Sequence, residues 1–223
     1  MKRVLVLMLA LLLAISAAGC REQKYTIGED GRPVMSSPND PTYDAKPVIY
    51  LYPEEETLVS VKLDYAGELT ASYPAYENGW TVTAYPDGTL TDETGREYYC
   101  LFWEGVSDTE YDFSTGFVVP GEETAAFLED ALVKMGLTEK EANEFIIYWL
   151  PKMEPNAYNL ISFQQEAYTD GAALKITPEP DSLLRVFMAW KAVEESVEIE
   201  PQVFESFERE GFTVVEWGGA EID

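Results

Sequence analysis

The chain has 223 residues, of which 15 are Lys or Arg and 41 are Asp or Glu, and its formal net charge is −26 at pH 7. A surface this acidic repels nucleic acid, so the composition excludes nucleic-acid binding. Histidine is absent, which excludes a Ser-His-Asp triad, a Cys-His catalytic pair and a histidine-ligated zinc. The length suffices for one sizeable hydrophobic core or for two small ones.

The first twenty residues have the layout of an export signal. Lys2 and Arg3 precede an apolar run over residues 4–15, which is too short for a comfortable membrane span. Small residues then lead directly to Cys20. This end resembles the lipobox of bacterial lipoproteins, although Ala17 stands where leucine is most common. We therefore predict a lipoprotein signal peptide over residues 1–19 and lipidation of Cys20, palmitate included.

A lipidated Cys20 determines where the protein is expected to work. Two or more acyl chains hold a protein stably on a membrane. We therefore expect attachment through the lipid to a bacterial cell membrane or envelope, on its extracytoplasmic face. Loss of Lys2 and Arg3 with the leader would make the mature chain two units more negative. The alternative is an ordinary cleavable signal that leaves Cys20 as a free thiol.

Residues 20–45 are polar and contain few aliphatic side chains, which predicts a flexible tether behind the lipid. Over residues 46–119, short alternating segments separated by turn residues predict a β-rich half. The expected strands are 46–53, 57–64, 69–73, 80–85, 98–103 and 113–119. Cys100 lies within this series and is interpreted as a small buried apolar residue.

Residues 120–223 mix helical and strand patterns. Apolar residues from Phe127 to Met135 recur at helical spacing, and Gly136 is a C-terminal stop. Thr138 and Glu141 form a capping box for a second helix, which we expect Pro151 to end. The remaining predicted elements are strands at 159–167 and 172–177, paired through a turn at 170–171, a strand at 184–191, a short helix at 202–210 and a strand at 212–217.

These elements predict an α+β fold. An antiparallel β-rich N-terminal half (46–119) packs with an αα-hairpin and a second antiparallel sheet in the half 120–223. Residues 46–223 form either two such units or one compact domain.

Four stretches of the chain are familiar when taken together. They are KPVIYLYP at 46–53, LFWEG at 101–105, NEFIIYWLP at 143–151 and GFTVVEWGG at 211–219. They resemble a family of uncharacterised bacterial cell-surface lipoproteins, and the resemblance covers the whole ordered part. It implies a surface location and one shared fold, and it implies no activity and no catalytic residues.

Glu104 and Glu216 are the candidate catalytic residues. Each lies next to a tryptophan, Trp103 or Trp217, at an aromatic strand end. Apolar rings disfavour the charged form of an acid, which raises its pKa and suits it to donate a proton. Two such acids can flank a sugar linkage. The alternative is that both are exposed strand-end acids and that the tryptophans belong to the core.

Glu144 and Tyr148 lie one turn apart on the face of the second helix opposite its apolar stripe. They are candidate ligand-binding residues that line a groove together with Asn143, Asn156 and Asn159. The alternative is a helix that is buried on two sides, in which the Glu–Tyr pair is hydrogen-bonded.

Arg185 and Trp217 complete the ligand-binding candidates. Arg185 is a rare cation on a predicted strand. It lies on an open face of the strand, forms an internal ion pair with Glu144 or Glu216, or binds an anionic group of a ligand, and we favour the ion pair. The ring of Trp217 is of the kind that can hold a sugar. The alternative for Trp217 is burial in the core.

Asp108, Glu110 and Asp112 place carboxylates on one face of an extended segment, an arrangement that suits a hard cation such as calcium. The segment lacks the pattern of an EF-hand, and a solvated acidic loop is the preferred interpretation. We therefore predict no metal and no cofactor.

The leading functional hypothesis is a non-catalytic lipoprotein that binds an extracellular glycan, a peptide or an envelope protein. One alternative is a carboxylate-based glycan hydrolase. It requires two carboxyl groups that converge, about 5–5.5 Å apart in a retaining enzyme or about 6.5–9.5 Å apart in an inverting one. Another alternative is a structural envelope protein. The binding hypothesis requires a concave surface with exposed Trp or Tyr.

Overall fold

The structure is a computed structural model that describes residues 26–27, 33–34 and 41–222. The predicted leader, Cys20 and most of the predicted tether lie outside the described residues. Strand β1 (Thr26–Ile27) pairs antiparallel with β2 (Pro33–Val34). Ser37–Asp223 is a separate compact unit. In the described part of the chain, no helix is long and apolar enough to cross a membrane.

The compact unit is built mainly from strands, with a helical hairpin in the middle of the chain. Its elements are β3 (Thr42–Tyr52), β4 (Thr57–Tyr65), β5 (Gly67–Tyr73), β6 (Trp80–Ala84), β7 (Leu90–Thr91), β8 (Glu97–Tyr98), β9 (Leu101–Ser107), β10 (Phe117–Pro120), a 3-10 turn (Gly121–Glu123), α1 (Thr124–Lys134), α2 (Glu139–Met153), β11 (Tyr158–Gln164), α3 (Glu166–Gly171), β12 (Ala172–Thr177), β13 (Ser182–Val193) and β14 (Thr213–Glu221). The predicted α+β class is confirmed.

The strands of this unit form two sheets. The large sheet has the order β10-β11-β13-β14-β3-β9-β5, and the small sheet has the order β12-β4-β6-β7-β8. Pairing is antiparallel except between β13 and β14, which run parallel. Both sheets combine strands from the two predicted halves: β12 pairs with β4, and β14 pairs with β3. Each sheet therefore contains strands from both predicted halves, and neither half forms a sheet by itself.

The large sheet is the middle of three layers because apolar side chains alternate to both of its faces. On β14, Val215 and Trp217 belong to the core that contains α1 and α2, whereas Val214 belongs to the core that contains the small sheet. On β3, Val48 and Ile49 divide in the same way. One hydrophobic core thus lies between the helices and the large sheet, and a second lies between the two sheets.

The predicted αα-hairpin is confirmed as α1 and α2. Gly136 follows α1 with φ +104°, a conformation that L side chains rarely adopt. At the start of α2, Thr138 and Glu141 form the predicted capping box. The prediction that Pro151 ends the helix is wrong, because α2 continues to Met153. Proline removes one backbone donor from the last turns of the helix. The helical hydrogen bonds continue after it, with a 2.8 Å bond from the Glu154 N–H to the Leu150 carbonyl.

The predicted hairpin through residues 170–171 is also wrong. β11 lies in the large sheet and β12 lies in the small sheet, and α3 connects them. Tyr168 of α3 is 2% exposed and stacks on Phe187 with 3.9 Å between ring centroids. Burial of this ring between the sheets favours a crossing segment over a local turn.

The segment 202–210 contains no helix. The side chain of Gln202 instead accepts from the Phe163 N–H at 2.8 Å and donates to the Phe163 carbonyl at 2.9 Å. Phe204 and Phe207 pack against the helix-side core. Contacts with distant residues therefore hold the segment.

Order begins earlier than the predicted residue 46. Strand β3 starts at Thr42, and Asp44 and Ala45 are buried. The tether therefore cannot extend to residue 45, and Tyr43 becomes available to the site described below.

Candidate functional site

A half-open groove with a volume of about 540 Å³ lies where the large sheet meets α2 and β8. Aromatic and charged side chains line it: Lys46, Tyr73, Glu97, Tyr98, Tyr99, Cys100, Phe102, Glu104 and Tyr148. Its volume is within the range of about 300–1,000 Å³ that is usual for ligand pockets.

Two tyrosines of the groove are largely open to solvent. Tyr73 is 51% exposed and Tyr99 is 54% exposed. Tyr73 packs edge-on against Tyr98 with ring centroids 5.4 Å apart, and the Arg96 guanidinium lies 5.9 Å from the Tyr73 centroid. The Lys46 ammonium lies 5.3 Å from the Phe102 centroid. These contacts hold rings in place along the groove and leave apolar ring surface open.

Glu104 is held by two donors at the groove. The Tyr43 hydroxyl donates to one of its carboxylate oxygens, and the Lys46 N–H donates to the other at 3.2 Å. Lys46 has φ +61° and lies within an irregularity of β3 between Asp44 and Val48. A left-handed conformation of a non-glycine residue costs on the order of 1–3 kcal/mol and is often found at functional sites. The strained residue thus helps to fix the orientation of this carboxylate.

Burial shifts the pKa values of Tyr43, Tyr148 and Cys100 at the groove. Burial, together with the charges of Glu104 and Glu221, raises the pKa of Tyr148 to about 12. Burial and the bond to Glu104 raise the pKa of Tyr43 well above its usual value. Burial raises the pKa of Cys100 to about 12. Both phenols are therefore neutral at pH 7, and Cys100 is a buried thiol rather than a thiolate.

Glu104 and Glu216 do not converge. Glu104 alternates with Leu101 and Trp103 of β9, which face the core between the sheets, and so lies on the helix side. Glu216 alternates with Val215 and Trp217, which face the helices, and so lies between the sheets. The large sheet separates the two carboxylates, which therefore cannot flank one glycosidic bond.

The predicted internal ion pair of Arg185 is confirmed, with Glu216 as its partner. The Arg185 Nε lies 2.7 Å from a Glu216 carboxylate oxygen, and the Trp103 indole N–H donates to the other oxygen at 3.2 Å. Glu216 is 0% exposed, and Arg185 also donates to the Ala172 carbonyl at 2.7 Å. This arrangement leaves the guanidinium enclosed by the protein.

The remaining helix-side candidates are Glu144, Tyr148 and Trp217, and they have different environments. Tyr148 lines the groove, whereas Glu144 accepts a 2.7 Å bond from the Tyr50 hydroxyl instead of pairing with Tyr148. Trp217 is 0% exposed and meets Phe145 edge-on, with ring centroids 5.3 Å apart. Of these three candidates, the structure brings Tyr148 to the groove beside Glu104.

The two asparagines form a structural network at the end of α2. Asn156 donates to the Asn159 side-chain oxygen at 2.7 Å. Buried Asn159 donates to the Thr124 hydroxyl and to the Met153 carbonyl, both at 2.9 Å. These bonds use the amide groups to join α1, α2 and β11, and they leave neither asparagine among the residues that line the groove.

The candidate calcium ligands Asp108, Glu110 and Asp112 are all exposed. Asp112 accepts from the N–H of Ser114 at 2.8 Å and from its hydroxyl at 2.6 Å. Within the described residues, no three carboxylate or thiol side chains are grouped so that they would hold a metal ion.

Most residues of the groove were not identified from the sequence. The sequence predicts one strand over the aromatic run that contains Tyr98, Tyr99 and Phe102, and it predicts that Tyr43 lies in the tether. The exposed Tyr73 gave no signal because it comes from a different strand, β5. The density of aromatic residues in 98–103 could have indicated the groove. A strand that is buried on one face places only alternate side chains in the core, so the other rings of this run have to lie elsewhere.

A similar protein is described as "Uncharacterized protein in bglA 3'region" from Butyrivibrio fibrisolvens. It is 52% identical over 65 residues, which cover 28% of this chain and 67% of that protein. The chain belongs to the same family as this Butyrivibrio protein. No family model matches the chain. No solved structure matches it either. The description of the relative assigns no activity, so the comparison adds none to the geometry.

Proposed function

We propose that the protein is a lipid-anchored protein on the extracytoplasmic face of a bacterial membrane, where it binds an extracellular ligand in the aromatic groove without transforming it. The observation that carries this proposal is the open groove beside α2. All five tryptophans are buried, and the exposed rings of Tyr73 and Tyr99 lie in this concave surface. A purely structural envelope protein has no need of such a cleft.

The binding interpretation is favoured over hydrolysis by the arrangement of the acids. The two carboxylates proposed for hydrolysis lie on opposite sides of the large sheet, and Glu216 already neutralises Arg185. Glu104 lies in the groove with its oxygens engaged by Tyr43 and Lys46. A fixed acceptor of this kind orients a ligand, whereas hydrolysis requires a second carboxyl placed across the reacting bond.

The anchor follows from the leader and Cys20. Its test is expression of the full chain and of the Cys20→Ala variant in a bacterial host with labelled palmitate. We expect the wild-type chain in the membrane fraction with label, and the variant without label and unprocessed. A variant that is processed normally and stays in the membrane would contradict the anchor.

The groove is tested by thermal melting of the full chain against panels of oligosaccharides and peptides. A ligand that binds the native state alone stabilises it by about 2.7 kcal/mol at a hundred times Kd. We expect at least one ligand to raise the midpoint of the wild type but not that of Tyr99→Ala. Leu58→Ala is the matched control, because Leu58 is 67% exposed and lies outside the groove. Equal shifts in both variants would argue against binding in the groove.

A further inference from the structure

Resting on the proposed function, we infer that the ligand of the groove is an uncharged oligosaccharide. One of its sugar rings stacks on Tyr99, and its hydroxyl groups donate to the carboxylate of Glu104. The inference combines three features: the type of side chain that lines the groove, the orientation of its carboxylate and the negative charge of the chain as a whole.

The lining suits a flat ligand that is apolar on its faces and polar at its edges. Among the residues that line the groove, five are Tyr or Phe and none is Leu, Ile, Val or Met. Pockets for apolar peptide side chains or acyl chains gain their affinity by surrounding aliphatic groups, for which packing against aliphatic walls is suitable. Aromatic faces beside charged groups instead fit a pyranose, which has C–H groups on its faces and hydroxyls around its rim.

The carboxylate of Glu104 is oriented before any ligand arrives. Each of its oxygens accepts one bond from the protein, from Tyr43 or from Lys46. A carboxylate has about four acceptor positions, so two remain for a ligand. Two neighbouring hydroxyls of a sugar can each donate to one oxygen of the same carboxylate. Because the acceptor is fixed beforehand, binding does not have to order it.

The charge of the whole chain selects against anionic sugars. Glu97 and Glu104 line the groove with Lys46, and Arg96 and Lys152 lie over the rings of Tyr73 and Tyr148, so positive and negative groups are nearly balanced at the groove itself. The chain as a whole carries −26. Uronic acids and phosphorylated sugars therefore approach an unfavourable potential, whereas an uncharged glycan does not.

The experiment is isothermal titration of the full-length chain, purified in a detergent without sugar groups. The probes are linear hexasaccharides of glucose, xylose, mannose and N-acetylglucosamine, with hexagalacturonate as the anionic comparison. An uncharged peptide panel of similar length serves as the alternative ligand class. We expect an uncharged glycan to bind with an affinity that is insensitive to salt, because no ion pair is formed. Hexagalacturonate is expected to bind at least tenfold more weakly than that glycan.

Variants locate the contact. Tyr99→Ala is expected to lower the affinity at least about tenfold, because it removes ring stacking and buried apolar area. Tyr99→Phe keeps the ring and is expected to stay within about threefold of wild type. Glu104→Gln removes a charged acceptor and is expected to weaken binding about tenfold or more. Leu58→Ala is the control for general effects on the fold.

The outcomes separate the two proposals. A peptide whose binding is lost in Tyr99→Ala would overturn the glycan inference and keep the proposed function. Preferential binding of hexagalacturonate would also overturn the inference. If no probe binds in a way that depends on Tyr99, both proposals fail. Cleavage of the bound glycan, detected by mass spectrometry, would contradict non-catalytic binding while supporting the ligand class.

Discussion

Arg185 and Glu216 form an ion pair in the core between the two sheets, with 2.7 Å between Nε and the carboxylate oxygen. Their strands run parallel and place the two residues at partner positions in the register. Desolvation makes such a pair a weak source of net stability, but loss of one partner leaves an uncompensated charge. The main effect of the pair is therefore to specify the register of β13 against β14, and its net contribution to the free energy of unfolding is small.

This relationship predicts an asymmetric mutational response. Arg185→Met is expected to lower the free energy of unfolding by about 3–5 kcal/mol, because the Glu216 carboxylate stays buried without its partner. The double variant Arg185→Met, Glu216→Gln is expected to recover a large part of this loss, since the Trp103 indole can still donate to the amide oxygen. Urea unfolding of the three proteins measures both values. A single variant that loses less than about 1 kcal/mol would contradict this account.

The sequence predicted the elements better than their connections. The capping box of α2 and the stop at Gly136 are local signals, and both predicted the structure correctly. The crossing from β11 to β12 was mistaken for a hairpin because turn residues at 170–171 suit either outcome. Its course is decided by burial of Tyr168 against Phe187, which is a contact between distant parts of the chain.

In the site, too, neighbouring sequence predicted some residues, whereas contacts between distant parts of the chain position the others. Glu104 and Tyr148 were candidates from their own surroundings in the sequence, and both line the groove. Tyr43, which holds Glu104, is 61 residues away along the chain. Asn159 had the polarity expected of a binding residue, but its amide is used inside the fold. Composition cannot separate these two uses of a polar side chain.

The left-handed backbone of Lys46 gives a second prediction. Lys46→Ala and Lys46→Gly both remove the ammonium that lies over Phe102, but glycine alone adopts φ +61° without steric cost. Lys46→Gly is therefore expected to be more stable than Lys46→Ala by about 1 kcal/mol. Chemical denaturation of the pair gives the difference directly. Equal stability, or a more stable alanine variant, would show that no strain is stored at this position.

The start of α2 gives a third prediction. The Thr138 side chain accepts from the Glu141 N–H at 3.3 Å, and Glu141 accepts from the Thr138 N–H at 2.8 Å. Thr138→Ala is expected to cost about 1 kcal/mol of stability. Thr138→Ser keeps the oxygen and serves as the matched control, with stability close to wild type. A serine variant as unstable as the alanine variant would show that packing of the threonine methyl group, and not the cap, is responsible.

The pH dependence of stability depends on the buried carboxyl of Asp44. Its oxygens accept from the hydroxyls of Tyr65 and Tyr111 at 2.7 and 2.6 Å. Burial, opposed by these two bonds and reinforced by the charge of Glu216, raises the pKa of Asp44 from 3.8 to about 6. The ionisable groups that face this region are Tyr65 from β4, Tyr111 from the loop between β9 and β10, Glu216 from β14, Arg185 from β13 and Tyr168 from α3.

Because the native state binds the Asp44 proton more tightly than the unfolded chain does, Asp44 favours folding most below pH 3.8. Its contribution falls as the pH rises through about 6, by about 1.4 kcal/mol for each unit by which the pKa is raised. Asp44→Asn removes this ionisation and keeps the shape of the side chain. We therefore expect the stability of wild type relative to Asp44→Asn to decrease from pH 4 to pH 7 and to level off above that. Urea unfolding of both proteins across this range checks the sign, and a difference that is constant or that grows with pH would contradict a raised pKa at Asp44.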